Sequence, residues 1–310
     1  MSIIDTREAG IRGDAPANHA GETGSIPVSR SKYQTFDDLT VQPIDVELAR
    51  EIICSRHYSR KWNTAFGTRN YGIYRQDDLL GVAVYGNPMN PGSWSGITDS
   101  DSEWCLELNR LWIDDELLNN SETWFLKRTM NALSAEGYQL IQSFADGRLG
   151  VGTIYQAANF GYYGWDTTLF HEQIDNGEFW HDTPFTNTAR AEGMIMRNLM
   201  HARNELKSFR VKTYRYLFPL NKRARRQIKI DPLPYPKERD GIMPVPDYQP
   251  PLSQIARAVA LANRMQQLKN AGILTAYLER LTPDADRLIA EQSENEWVQS
   301  VISDTPLFEL

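Results

Sequence analysis

The sequence predicts an α/β fold of the α+β kind, a mixed central sheet flanked by helices and followed by a helical C-terminal extension. Three observations carry this. From about residue 40 to 181, segments with strand and helix periodicity follow one another as strand, helix, hairpin, long strand, helix, strand, helix, strand, strand. The chain has 310 residues, 41% of them hydrophobic and 24% charged, enough to bury a sizeable core without staples. After a proline-rich stretch, Ile255, Val259, Ala262, Met265 and Leu268 recur at helical spacing.

Residues 1–35 mix Gly, Ala, Ser, Pro and charges and read as a mostly disordered leader, with no apolar core of a secretory signal. No run of about 18 apolar residues occurs, which excludes a membrane span. Residues 40–44 form a short strand. Asp45 is placed to cap a helix over 46–54, with Leu48, Ile52 and Ile53 on one face, ending at Ser55-Arg56-His57-Tyr58-Ser59. Residues 70–74 and 79–86 make a hairpin around Gln76-Asp77-Asp78. Asn87-Pro88-Met89-Asn90-Pro91-Gly92 breaks the pattern, and 93–102 is a polar loop. Residues 103–113 form a strong strand, with Trp104, Leu106 and Leu108 on one side and Glu103, Cys105, Glu107 and Asn109 on the other.

Asn119-Asn120-Ser121-Glu122 opens a helix through Trp124, Phe125, Leu126, Met130 and Leu133, which Gly137 ends. A strand over 140–145, a loop over 146–150 and a short helix over 153–159 follow. Aromatic strands at 162–170 and 178–181 flank Asp175-Asn176-Gly177; 190–208 is helical and 211–217 is a further strand. Residues 231–252 read as a proline-rich extended linker and 253–303 as two or three helices. The expected organisation is a leader (1–35), a catalytic domain ending in a basic segment (36–230), the linker, and a helical extension (253–310).

Two cysteines, Cys54 and Cys105, leave room for neither a disulfide framework nor a cysteine zinc site and fit a reducing, cytoplasmic setting. The net charge of −7 argues against a general nucleic-acid binder. Its distribution argues otherwise. Between 201 and 230 ten Lys and Arg stand against one acid, Glu205, so this stretch carries +9 and the rest of the chain −16. Phe209, Tyr214, Tyr216 and Phe218 are interleaved there. Cations can meet phosphates while aromatic rings stack on an extruded base. Arg215, Lys222, Arg223, Arg225 and Arg226 are the candidate nucleic-acid contacts; a solvated face beside core aromatics is the alternative.

Four other stretches carry chemistry. Ser121 follows a strand and starts a helix, where free amides can hold an anion; it is also an ordinary helix cap. Asp146 lies just past a strand's C-terminal end and can serve as a base or metal ligand, or merely close a turn. His57 and Tyr58 offer a neutral-pH proton carrier and a phenol donor, or simple packing. Glu107, Asn109 and Arg110 are polar groups inside an apolar strand and need partners. Alternation puts Glu107 and Asn109 on one face and Arg110 on the other, unless a bulge intervenes. His171 and His181 match no zinc spacing, though a hairpin could join them, and metal ligands stay unidentified.

The segment 103–170 resembles the acyl-CoA N-acyltransferase (GNAT) fold, in which a helix N-terminus after the fourth strand binds the cofactor pyrophosphate. Tyr155-Gln156-Ala157-Ala158-Asn159-Phe160 resembles that fold's late helix, with Asn159 in place of the usual glycine, and no Arg/Gln-x-x-Gly-x-Gly/Ala loop lies between Ile113 and Trp124. A closer resemblance is to the Mom family of phage proteins that modify DNA adenine. It rests on His57-Tyr58-Ser59, Asn87-Pro88-Met89-Asn90-Pro91, Glu107-Leu108-Asn109-Arg110-Leu111-Trp112, Asn120-Ser121-Glu122, Gln142-Ser143-Phe144-Ala145-Asp146, the Tyr155 segment and Lys212-Thr213-Tyr214-Arg215-Tyr216, spanning about 40–225.

The resemblance implies conversion of adenine to N6-(carbamoylmethyl)adenine, which shields phage DNA from host restriction. It makes His57, Tyr58, Arg110, Ser121 and Asp146 the catalytic set, and Asn120, Ser121, Glu122 and Tyr155 the cofactor-binding set. The donor it leaves open between an acyl-CoA and a glycine-derived molecule, with iron proposed as a helper. The implied partners are double-stranded DNA with a flipped adenine and the small-molecule donor, without a membrane, in the host cytoplasm. Two other readings stand beside it: a GNAT enzyme acting on a small amine or protein, and a non-catalytic DNA-binding phage protein.

Overall fold

A computed structural model describes residues 35–63, 65–88, 91–182, 191–273 and 276–304. Their elements, in chain order, are β1 (Leu39–Pro43), α1 (Val46–Arg56), β2 (Arg69–Arg75), β3 (Asp78–Gly86), β4 (Cys105–Ile113), α2 (Ser121–Ala135), β5 (Leu140–Asp146), α3 (Thr153–Ala157), β6 (Gly161–Gln173), β7 (Phe179–His181), α4 (Ala191–Ala202), β8 (Leu206–Pro219), α5 (Lys222–Gln227), β9 (Ile242–Val245), α6 (Leu252–Asn270), α7 (Ala276–Glu291) and α8 (Glu296–Asp304). The expected leader falls almost wholly outside the described residues. The expected polar loop at 93–102 is largely a pair of short 3₁₀ turns, Pro91–Gly96 and Ser102–Trp104.

The chain divides into two compact units: 35–167 with 212–241, and 168–211 with 242–304. This differs from the expected single catalytic domain over 36–230, because 168–211 packs with the C-terminal helices.

In the larger unit the strands run β1-β2-β3-β4-β5-β8. Every neighbouring pair is antiparallel except β4 and β5. That parallel pair requires a crossover, and α2 supplies it. This is the mixed sheet flanked by helices that the sequence predicts. One face is covered by α1, whose Ala49 and Ile53 pack on Val82 and Val84 of β3. The other is covered by α2, whose Phe125, Leu126, Met130 and Leu133 recur at helical spacing and meet Tyr85, Leu106 and Ile141. Each such side chain stabilises the fold by ~1.5–3 kcal/mol on burial. Asp45 holds the N-cap position of α1, but its carboxylate makes no capping bond; its carbonyl accepts from Ala49 N–H instead.

In the smaller unit, parts of β6 and β8 pair with β7 and β9. Helices α4, α6, α7 and α8 bury Met194, Leu199, Val259, Ala262, Leu281 and Val298 together. The expected linker at 231–252 is not wholly extended coil. Its 242–245 segment is β9, paired along β8, and Pro244 is tolerated there because an edge strand leaves one side free of ladder bonds. In the larger unit Leu233 bridges to Tyr162, and the Tyr235 hydroxyl donates to the Phe160 carbonyl at 2.7 Å. No helix among the described residues is long and apolar enough to cross a membrane.

Candidate active site

The site is built where β4 and β5 stop pairing. Their parallel ladder joins Cys105 to Leu140, Leu106 to Ile141 and Glu107 to Gln142, and no pair follows. Past that point β4 continues on β3 to Ile113, while β5 continues on β8 to Asp146. Backbone groups on the two facing edges lose their ladder partners, and the Ser143 hydroxyl takes up one of them by donating to the Leu108 carbonyl at 3.0 Å. Sites of α/β proteins form at this C-terminal edge of parallel strands.

A bulge decides where Arg110 goes. Val84 pairs with Arg110 but the next residue, Tyr85, pairs with Leu108, so Asn109 is an extra residue in β4. The bulge reverses the alternation beyond it and puts Arg110 on the face of Glu107 rather than opposite. Glu107 accepts from Asn109 Nδ2 at 3.1 Å and from Gln142 Nε2 at 3.2 Å. Asn109 Oδ1, Gln142 Oε1 and Arg110 Nε are buried without a partner. Arg110 donates to the Asn109 carbonyl at 2.6 Å and lies 4.6 Å from the centre of the Phe66 ring.

His57 ends α1, its N–H donating to the Ile53 carbonyl, and is only 5% exposed. Its Nδ1 accepts from Ser59 N–H at 3.1 Å and sits 2.9 Å from the Ser59 hydroxyl, a network that places the ring proton on Nε2. Burial first, and the Arg110 charge second, push its pKa down to about 4. At neutral pH His57 is a neutral ring held in one tautomer, not a base poised near 7.

Tyr58 stacks beside it with ring centres 4.2 Å apart. Although the residue is 63% exposed, desolvation of its phenol among its neighbours, and then the Asp146 carboxylate, hold its pKa above the usual tyrosine range. Tyr58 also feels Arg110 and Arg148, so the structure brings His57, Tyr58, Arg110 and Asp146 into one electrostatic neighbourhood.

Asp146 is not free. Arg148 Nε reaches its two oxygens at 3.0 and 3.1 Å, Arg148 Nη2 reaches Oδ2 at 2.5 Å, and Arg148 N–H donates to Oδ1 at 3.0 Å. Sequence reasoning passed over Arg148, although an Asp two residues before an Arg at a strand end was a readable signal.

The expected donor-holding residues divide. Tyr155 is buried on Phe160 and Tyr216, and its hydroxyl bonds Ser143; burial pushes its pKa up to about 12. It reaches this place because Gly152, at φ +77°, makes the turn into α3, where a Cβ would meet Tyr216 at 2.6 Å. Ser121 is 1% exposed, and its hydroxyl donates to the Leu118 carbonyl at 2.6 Å, so that hydroxyl is committed within the fold. Asn120, not Ser121, takes the N-cap position, in the left-handed region at φ +69°. Glu122 stands in the first turn of α2 and brings negative charge to it.

The basic residues do not form one patch. Arg203, Lys207 and Arg210 belong to the smaller unit. Arg215 pairs with Phe144, two residues from the Asp146 end of the β5–β8 ladder, and its guanidinium lies 5.5 Å from the Phe144 ring centre. Lys222, Arg223, Arg225 and Arg226 lie on α5, beyond the opposite end of that ladder, where Leu140 pairs with Pro219.

The hairpin of β6 and β7 pairs Phe170 with His181 and His171 with Trp180, so the two histidines take adjacent registers and opposite faces. His171 instead bonds Ser208 at 2.9 Å and Asp182 at 3.0 Å. Among the described residues, no three His, Cys, Asp or Glu side chains come together as a metal site.

Comparison with known proteins gives three findings. The Mom protein family matches residues 38–237. The chain is 32% identical over 208 residues to methylcarbamoylase mom of Escherichia phage Mu, covering 64% of this chain and 84% of that one. Among solved structures, a GNAT family acetyltransferase from Elizabethkingia anophelis with acetyl-CoA bound is 11% identical at a TM-score of 0.32, over 59% of this chain and 99% of that one. A Drosophila melanogaster polyamine N-acetyltransferase is 10% identical at 0.33, over 59% and 100%. These two likenesses are too remote to speak for an activity.

Proposed function

This chain belongs to the Mom protein family, and on that premise we propose that it is a transferase placing a carbamoylmethyl group on the N6 amine of adenine in double-stranded DNA. The observation that carries the proposal is the convergence of His57, Tyr58, Arg110 and Asp146, from three separate segments, at the edge where β4 and β5 part. The setting is the cytoplasm of a phage-infected host, and the outcome is DNA shielded from restriction.

The chemistry asks for such a set. The adenine amine is a poor nucleophile because its lone pair is delocalised into the ring, so its reaction calls for positioning and for a group that removes its proton. It also lies within the duplex, so the base is flipped out to react. In this proposal N6 attacks the methylene carbon of the donor, the bond from that carbon to the rest of the donor breaks with its electron pair departing on the leaving group, and Asp146 takes the N6 proton once Arg148 has withdrawn from its two oxygens. Tyr58, exposed and beside the acid, contacts the flipped base. Arg110, with its unpartnered Nε, orients an amide or carboxylate of the donor. His57, neutral at working pH, holds Tyr58 through ring contact and acts through it.

A coenzyme A pyrophosphate does not suit the start of α2. Asp114, Asp115 and Glu116 lead into that helix, Glu122 lies in its first turn, and no Lys or Arg falls between 111 and 126. Among the donors that the family leaves open, this favours one without a pyrophosphate. The described residues likewise offer no group suited to iron, and no step is assigned to it.

The test is nucleoside mass spectrometry of DNA from cells expressing the wild type or Asp146→Ala. The expected result is an adenine nucleoside heavier by a carbamoylmethyl group in the wild type and absent from the variant. Full modification by Asp146→Ala would remove Asp146 from its role.

A further inference from the structure

Resting on the transfer reading above, we propose that the buried polar cluster of Glu107, Asn109, Arg110 and Gln142 binds the terminal carboxamide of the donor and selects it over a carboxylate. Glu107, Asn109 and Gln142 are only 7%, 8% and 1% exposed. Both amides spend an N–H on the same carboxylate, Asn109 Nδ2 on Oε1 at 3.1 Å and Gln142 Nε2 on Oε2 at 3.2 Å. A carboxylate only accepts, so it fixes which way both amides face and leaves their oxygens to accept from something else. Among the described residues, Asn109 Oδ1, Gln142 Oε1 and Arg110 Nε are buried with no partner.

Buried polar groups are nearly always paired, because one left unpaired costs stability. Here the unpaired atoms belong to one neighbourhood. Glu107 and Gln142 are the last pair of the parallel ladder, and the bulge at Asn109 puts Arg110 on the same face. Beyond that pair the strands part, so the cluster sits at the root of the opening. Gly86 stands opposite Glu107 on β3, where a Cβ would lie 2.6 Å from Asn109 Oδ1. Glycine leaves that oxygen uncovered by a side chain.

The unpaired atoms define the ligand. Two acceptors and one donor, beside a carboxylate, call for an uncharged group with N–H donors next to an acceptor. A primary carboxamide has that pattern: its NH₂ donates to Asn109 Oδ1 and Gln142 Oε1, and its carbonyl accepts from Arg110 Nε–H. A carboxylate would bring acceptors to acceptors and its charge against Glu107. A site built to hydrogen-bond an NH₂ group rejects the analogue without one, because its own buried groups are then left unpaired. The N6 and N1 edge of adenine has the same pattern, and placement decides between them. Gln142 and Asp146 share one face of β5, four residues apart, about 13 Å between Cα atoms. With N6 at Asp146, the cluster lies at the other end, where the donor's amide falls when its methylene faces N6. The carboxamide keeps all its bonds through the transfer, so Asn109 and Gln142 determine specificity and carry no proton.

The probe is acetamide, the carbamoylmethyl group with hydrogen where the leaving group stands. Its binding to the full chain is measured by saturation-transfer NMR, beside acetate and beside acetone, which has the same shape and carbonyl but no N–H. The wild type is expected to bind acetamide ~10-fold more tightly than either. Gln142→Met, which keeps the side chain's length without its oxygen, is expected to lose that preference and to lower carbamoylmethyl-adenine in nucleoside mass spectrometry by ~10-fold. Its melting temperature is read alongside, since one Glu107 oxygen loses its amide; the wild-type comparison stands without the variant. Asp146→Ala is expected to keep the preference while losing modification. Equal binding of the three probes by the wild type overturns the inference, with water then meeting the unpaired atoms. Displacement of acetamide by 9-methyladenine overturns it too, by giving the cluster to the base. A wild type that modifies adenine without the preference overturns the carboxamide site alone. One that shows the preference yet leaves every DNA nucleoside unchanged overturns the transfer reading and leaves the carboxamide site standing.

Discussion

His57→Gln should flatten the acid limb of stability of the larger unit by about 3 kcal/mol. The wild-type ring is 5% exposed and its pKa is pushed down to about 4, first by burial and then by Arg110, against about 6.5 in an unfolded chain. Above pH 6.5 the ring is neutral in both states and this stability is fully present. As pH falls from 6.5 to 4 the unfolded chain takes up a proton that the folded chain refuses, at a cost of about 1.4 kcal/mol for each pH unit. Below pH 4 both states are protonated and the loss stops. Glutamine can still accept from Ser59 N–H but does not titrate. Urea unfolding followed by tryptophan fluorescence, at intervals from pH 7.5 to 4, reads the difference. Any constant offset from packing cancels, and so does His201, whose pKa is also near 4 and which both proteins retain. Parallel curves for wild type and variant across that window would refute the burial argument, since a His57 with an ordinary pKa leaves no slope between them.

Three further outcomes follow from the geometry. Arg148→Met removes the fork from Asp146; turnover at saturating DNA should stay level or rise up to ~10-fold, the equivalent of about 1.4 kcal/mol of released restraint, and a tenfold fall in single-turnover nucleoside assays would place Arg148 in the working site instead. Arg110→Lys keeps the charge but loses the planar stack on Phe66 and the fixed donor geometry at Asn109; modification should drop at least tenfold with little change in melting temperature, and near wild-type yield would show that charge alone suffices. Gly86→Ala drives a Cβ to 2.2 Å from the Ala65 carbonyl and 2.6 Å from Asn109 Oδ1, which should cost about 1–3 kcal/mol by overpacking; calorimetry showing an unchanged melting temperature would mean that the 65–66 backbone yields freely.

Much of the larger unit was legible in local sequence, because its elements carry their own period. The apolar stripe of α2, the hairpin of β2 and β3 and the run of β4 all appear within two residues of their expected ends. The stretch 231–252 was misread because proline signals extension, and extension alone does not distinguish a free linker from an edge strand such as β9. The candidate residues were legible as types, being polar groups at strand ends and inside an apolar strand, but their relations were not. Alternation sent Arg110 to the wrong face because the extra residue at Asn109 shows only against the partner strand. Asp146 read as an available base because nothing local fixed the rotamer of Arg148.

Local sequence is enough to lay out most of the helices and strands of the larger unit, to single out the candidate residues, and to point to the family to which the chain belongs. Only the folded chain shows that β4 and β5 part after Glu107, that a bulge puts Arg110 on the face of Glu107, and that one run of basic residues is divided between the two units. The reason is physical. Periodicity and capping are local and leave a mark in a few neighbouring residues, whereas register, bulges and strand separation are set by pairing between residues tens of positions apart, and that pairing is fixed only when the whole sheet forms.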